Sequence, residues 1–109
     1  MQGGPEQRAD RRRRTLFTGR IVHSRDLLTV ECSIQNISRS GARVKLAGAQ
    51  AIGEPVYLVD MRHGLAFKTT VRWRRDDRLG LAFTDYYDLS KPNPGLPELV
   101  RRLWLDYLR

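Results

Sequence analysis

Two runs of strict alternation constrain this chain more than any other feature. Val30, Cys32 and Ile34 alternate with Glu31, Ser33 and Gln35, and Ala42, Val44 and Leu46 alternate with Arg43 and Lys45. A two-residue period sends apolar side chains to one face and polar ones to the other, the mark of a half-buried strand. Between the runs lies Asn36-Ile37-Ser38-Arg39-Ser40-Gly41, with an amide, two hydroxyls and a glycine, groups that bend a chain and carry spare hydrogen-bonding capacity. This turn has two readings. Either Asn and Ser bond their own backbone while Gly41 takes a positive φ, or they face a ligand.

The same grammar extends along the chain. Gly19 to His23 reads as a first strand, Ser24-Arg25-Asp26 as a turn, Leu28 to Ile34 as a second strand and Ala42 to Leu46 as a third. After a loop from Gly48 to Gly53, Glu54 to Val59 makes a fourth. His63-Gly64 turns the chain into a fifth, Ala66 to Trp73, in which Phe67, Thr69, Val71 and Trp73 face one way and Lys68, Thr70 and Arg72 the other. Arg75-Asp76-Asp77-Arg78 turns it into a sixth, Leu79 to Phe83. No helix intervenes to cross between parallel strands, so the expectation is an all-β, six-stranded antiparallel barrel. From Leu96 the period lengthens to that of a helix. Leu96, Leu99, Val100, Leu103, Trp104, Tyr107 and Leu108 form one stripe, and Pro97 suits its first turn. The stripe is expected to plug the open end of the barrel, with Trp104 in the core; the alternative is a face for a partner or a second copy.

With 109 residues, 40% of them hydrophobic, there is one modest core and one domain. It divides into an arginine-rich arm (1–14), a barrel (15–85), and a loop with a C-terminal helix packing on the barrel (86–109). No apolar run approaches the roughly 20 residues of a membrane span, and the N-terminus is polar where a signal peptide needs an apolar segment, so a cytoplasmic protein is expected. Cys32 has no partner for an internal disulfide and reads as a packed thiol rather than a nucleophile. His23 and His63 are the only histidines, and no glycine-rich phosphate loop precedes a helix. Neither an enzyme nor a metal or cofactor protein is expected.

Charge points to an anionic ligand. Twenty Lys and Arg against twelve Asp and Glu give a net charge of +8, and the pI is near 10.5. Seventeen of the cations are arginine, whose planar fork pairs with phosphate and stacks on bases. The arm holds Arg8, Arg11, Arg12, Arg13 and Arg14 with Glu6 and Asp10, +3 in all, and almost nothing apolar. Alone it should be disordered, and by itself reads as a solvated tail or a non-specific nucleic-acid contact.

Arg8 and Arg12 form an R-x-x-x-R spacing, and Asn36, Ser38 and Gly41 an N-x-S-x-x-G. In this order the pair resembles the PilZ domain, a bacterial receptor family for cyclic di-GMP. Gly53 before the fourth strand, Val71-Arg72-Trp73 ending the fifth and Gly80-Leu81-Ala82-Phe83 in the sixth also look like the family's pattern. The resemblance implies a PilZ-type barrel with ligand on its outer face, Arg8 and Arg12 on guanine or phosphate, and Asn36, Ser38 and Gly41 at the guanine edge and sugar-phosphate. Arg11, Arg13 and Arg14 would help neutralise phosphate, and Trp73 would either stack on the ligand or belong to the core. One departure is Asn36, where the family often has aspartate, a charge-assisted acceptor that an amide cannot match. The expected partners are cyclic di-GMP and a downstream protein in motility, exopolysaccharide or related output, with no membrane insertion. The rivals are a basic-armed RNA- or DNA-binding barrel, nucleic acid being the less expected partner, and a PilZ-like interaction module without ligand.

Overall fold

The computed structural model describes residues 13–109, with side chains from Phe17 onward. Six strands, β1 (Arg13–His23), β2 (Leu28–Ile37), β3 (Gly41–Leu46), β4 (Val56–Asp60), β5 (Leu65–Arg75) and β6 (Arg78–Asp88), precede one helix, α1 (Glu98–Tyr107). They close a barrel in the order β1-β2-β3-β6-β5-β4, with every neighbouring pair antiparallel. β1 begins at Arg13, well before the strand that hydropathy suggests, because Arg13 and Arg14 pair with Ile37 and Asn36. Pairing with a neighbour overrides the poor strand character of two consecutive arginines. β6 likewise runs to Asp88, past the expected boundary at residue 85, by pairing with β5 as far as Leu65.

The inward faces of the strands fill the barrel. Ile21, Cys32, Ile34, Val44, Leu46, Leu58, Phe67, Leu79 and Leu81 meet there and are buried. Cys32 is thus a packing residue, and desolvation pushes its thiol up to about 12, far from thiolate chemistry.

The helix does not plug an open end. Val22, Tyr57, Val59 and Ala66, each next in sequence to an inward residue, point outward, and they pack with Met61, Leu89, Leu96 and Val100. Leu99, Leu103 and Trp104 join this second cluster, so α1 lies across the outer surface of β1, β4 and β5. The cause is legible in β4: all five of its residues are buried, since one face looks into the barrel and the other at the helix. Arg101 anchors the helix by donating from Nε to the Leu89 carbonyl at 3.0 Å, while the Leu89 N–H reaches the Gly64 carbonyl at 2.9 Å. Tyr107 and Leu108, the last members of the stripe, stay more than half exposed.

His23 closes the far end of β1. It is buried, and its Nδ1 accepts the Gly53 N–H at 3.2 Å, which requires that nitrogen to be unprotonated. Burial lowers its pKa below the ordinary 6.5. The unfolded chain therefore takes up the proton first as pH falls. The stability contributed by neutral His23 is fully present above pH 6.5 and is lost below it, through the depressed folded value. Urea unfolding across the range from mildly alkaline to mildly acidic should show a stability that declines below pH 6.5, and declines less in His23→Gln than in the native chain.

Candidate ligand-binding site

Two irregularities in the sheet build the outer surface around the Asn36–Gly41 turn. Ile34 pairs with Val44 on the inside, but the register then shifts, so that Asn36 faces Arg43 and Ile37 faces Ala42. Gln35 is the surplus residue. The bulge moves Asn36 from the inward set, where strict alternation would leave it, to the face that carries the exposed Arg43. β1 shifts at the same level, between Arg14 and Phe17.

A second shift lies between Val71 and Trp73 in β5. Val71 opposes Leu81 on the barrel side, Arg72 is surplus, and Trp73 opposes Gly80 on the outside. Trp73 is therefore not core: it is 44% exposed and lies flat on Gly80. A Cβ at Gly80 would overlap the indole, so the glycine is what lets the ring settle against the sheet.

The registers join into one cross-strand row. Arg14 on β1 pairs with Asn36 on β2, Asn36 with Arg43 on β3, Arg43 with Gly80 on β6, and Gly80 with Trp73 on β5. Along this row opens a cleft of about 430 Å³ whose lining includes Ser40, Gly41, Arg43, Arg72, Trp73 and Gly80. Two arginines and an indole around a concave space suit a flat, anionic molecule: guanidinium forks for phosphate, an aromatic face for a base.

The turn itself is braced from within. The Ser38 N–H donates to the Gly41 carbonyl at 2.8 Å, the Ser40 N–H to Ser38 Oγ at 3.3 Å, and the Ser38 hydroxyl lies 3.4 Å from the Gly41 carbonyl. Gly41 does not take a positive φ; a glycine is required because a Cβ would overlap the Leu81 carbonyl oxygen on β6. Local bonding thus accounts for Ser38 and close approach for Gly41. Asn36 is only 5% exposed. The turn divides two clefts, Ser40 and Gly41 lining the basic one, Ser38 and Arg39 lining another of about 520 Å³ with Phe67, Phe83 and Tyr86.

Of the residues singled out in the sequence, Gly41 and Trp73 line the basic cleft, Asn36 lies in its cross-strand row and Ser38 braces its rim. Arg8, Arg11 and Arg12 lie outside the described residues, and Arg13 is described only as a strand residue opposite Ile37. Arg43, Arg72 and Ser40 join the cleft without any motif to announce them. In sequence Arg43 and Arg72 look like the solvent side of ordinary strands, and only the convergence of β3, β6 and β5 brings them together.

His63 and Asp60 pair elsewhere, at the β4–β5 turn. His63 Nδ1 is 2.9 Å from Asp60 Oδ2, and the Arg62 and His63 N–H groups donate to Oδ1 at 3.1 Å. This buried carboxylate closes a turn. Among the described residues, no three metal-ligating side chains come together.

Gly80→Ala tests how the cleft is built. The methyl group should lift Trp73 off the sheet, raising its exposure to acrylamide quenching and weakening any ligand of the cleft at least tenfold. The melting temperature should fall by only a few degrees, since about 1 kcal/mol shifts a domain of this size by roughly 4–8 °C.

The family profile of the PilZ domain matches residues 6–91, spanning the arm, the turn and all six strands. Comparison with curated proteins returns no match. The profile covers well over half of the chain and its barrel is the one observed, so this protein belongs to the PilZ domain family.

Proposed function

We propose that this chain is a receptor for cyclic di-GMP, held between the R-x-x-x-R arm and the basic cleft beside the Asn36–Gly41 turn. The observation that carries the reading is the register of β1. Arg13 lies opposite Ile37 and Arg14 opposite Asn36, so β1 begins beside the second motif. At most about 3.3–3.6 Å per residue, Arg8 and Arg12 both come within reach of the cleft.

The chemistry matches residue by residue. A guanine presents O6 and N7 as two acceptors on one edge, the pattern a guanidinium fork satisfies, and this is the role given to Arg8 and Arg12. Arg43 and Arg72 face the phosphates, with Arg11 and Arg13 adding positive charge from the arm side. Trp73 offers the exposed face on which a base stacks, an interaction strengthened where a cation shares the site. Asn36, Ser38 and Gly41 shape the rim rather than supply free groups, consistent with the neutral amide at Asn36. The output is conformational. Ligand supplies partners that the apolar-poor arm lacks, and a closed arm presents a new surface to a downstream protein.

Calorimetric titration should show cyclic di-GMP binding at low micromolar or better and cyclic di-AMP failing, because adenine places an N6 donor where guanine has O6. Equal affinity for both would remove the guanine pocket. Arg8→Ala and Arg12→Ala should each cost about 1.5–3 kcal/mol of binding, the scale of a charged hydrogen bond, without lowering the melting temperature.

Amide exchange in residues 6–12 should slow on saturation with cyclic di-GMP. Exchange indifferent to ligand would place the moving element elsewhere, with α1 the next segment to follow.

A further inference from the structure

We infer that the tip of the β5–β6 hairpin is a binding surface for single-stranded nucleic acid. A third cleft, of about 380 Å³, opens on the tip side of Trp73 and is lined by Arg43, Trp73, Arg74, Arg75 and Arg78. Arg43 and Trp73 also line the basic cleft, so they form the wall between the two. Arg74, Arg75 and Arg78 have no part in the cyclic di-GMP site, and the inference does not depend on that reading.

The register makes this end of the sheet crowded with like charge. Lys45 on β3 pairs with Arg78 on β6, and Arg78 pairs with Arg75 on β5, three cations in adjacent cross-strand positions. Directly opposed like charges destabilise a sheet. Among the described residues none of Arg43, Lys45, Arg72, Arg74, Arg75 and Arg78 forms an ion pair; Arg20 with Glu31 is the one arginine that does. Asp76 and Asp77 occupy the turn, yet Arg74 Nε uses the Asp76 carbonyl, at 2.9 Å, rather than a carboxylate. The fold has no use for this concentration of charge, and a polyanion would relieve it.

The aromatic wall identifies the polyanion. Trp73 lies against Gly80 with a cleft on either side and is 44% exposed, so an unstacked base entering either cleft meets an aromatic surface on which to stack. An acidic peptide would satisfy the arginines and leave the indole idle. Arginines tracking a backbone beside a stacking platform are the combination that single strands use. Double strands keep their bases inside and gain only the phosphate contacts.

The test is fluorescence anisotropy on the full chain with labelled RNA and DNA single strands of about 10 nucleotides, between about 50 and 200 mM salt. Both should bind. Arg75→Ala/Arg78→Ala should lose at least tenfold in affinity, and the salt slope should fall by about 1.4, at about 0.7 for each phosphate contact removed from a single strand. Its melting temperature should hold or rise, because the like-charge row is relieved, and its cyclic di-GMP titration should be unchanged. Trp73→Leu should weaken the oligonucleotides while leaving inorganic polyphosphate, which has no bases, unaffected. Unaltered affinity and slope in Arg75→Ala/Arg78→Ala would overturn the inference and return nucleic-acid binding to the arm. So would a duplex bound as tightly as the single strand, or equal losses for oligonucleotide and polyphosphate in Trp73→Leu, either of which marks a surface that reads charge alone.

Discussion

The closing of the barrel through β1 governs everything else in this molecule. β1 pairs with β2 along one edge and with β4 along the other, so a single strand removes both open edges of the sheet. Its inward residues complete the barrel core, while Val22 on its outer face receives the helix. The strand that closes the barrel also begins beside the motif turn, where Arg13 pairs with Ile37 and Arg14 with Asn36.

Given closure, the site is made by breaking the alternation twice. A sheet with strict period would turn Trp73 toward the barrel, where an indole would displace aliphatic packing. One surplus residue in each strand, Gln35 and Arg72, reverses the facing of the residues after it. Both bulges open onto the same outer row. A rigid barrel can thus present two arginines and an indole on neighbouring strands without lengthening any loop.

The outer face of the barrel divides into two regions of different character. Around β1, β4 and β5 the outer face is apolar and is covered by α1. Around β3, β6 and the tip of β5 it is cationic, with clefts on both sides of Trp73. The apolar side adds to stability through burial, whereas the cationic side adds like-charge repulsion that the hydrophobic interior has to offset. Separating them around one barrel keeps the cationic surface free of helix packing.

The sequence by itself determined the number of strands, their turns, the antiparallel barrel, the terminal helix and the two short motifs, because each is written in local periodicity or in residues that a turn requires. Cys32 as a packed thiol was legible for the same reason. Tertiary structure decided the faces. Gln35 and Arg72 are polar whether they bulge or alternate, so hydropathy carries no trace of either shift, and Trp73 suits core and surface with equal justice until its pairing with Gly80 is known. The site of α1 was written in the unbroken apolar run Val56-Tyr57-Leu58-Val59, which an amphipathic strand would not have, yet that run says only that both faces are buried and not by what. Arg43, Arg74, Arg75 and Arg78 are solvent-facing charges in sequence, and their convergence depends on β3 lying beside β6, a strand far from it along the chain.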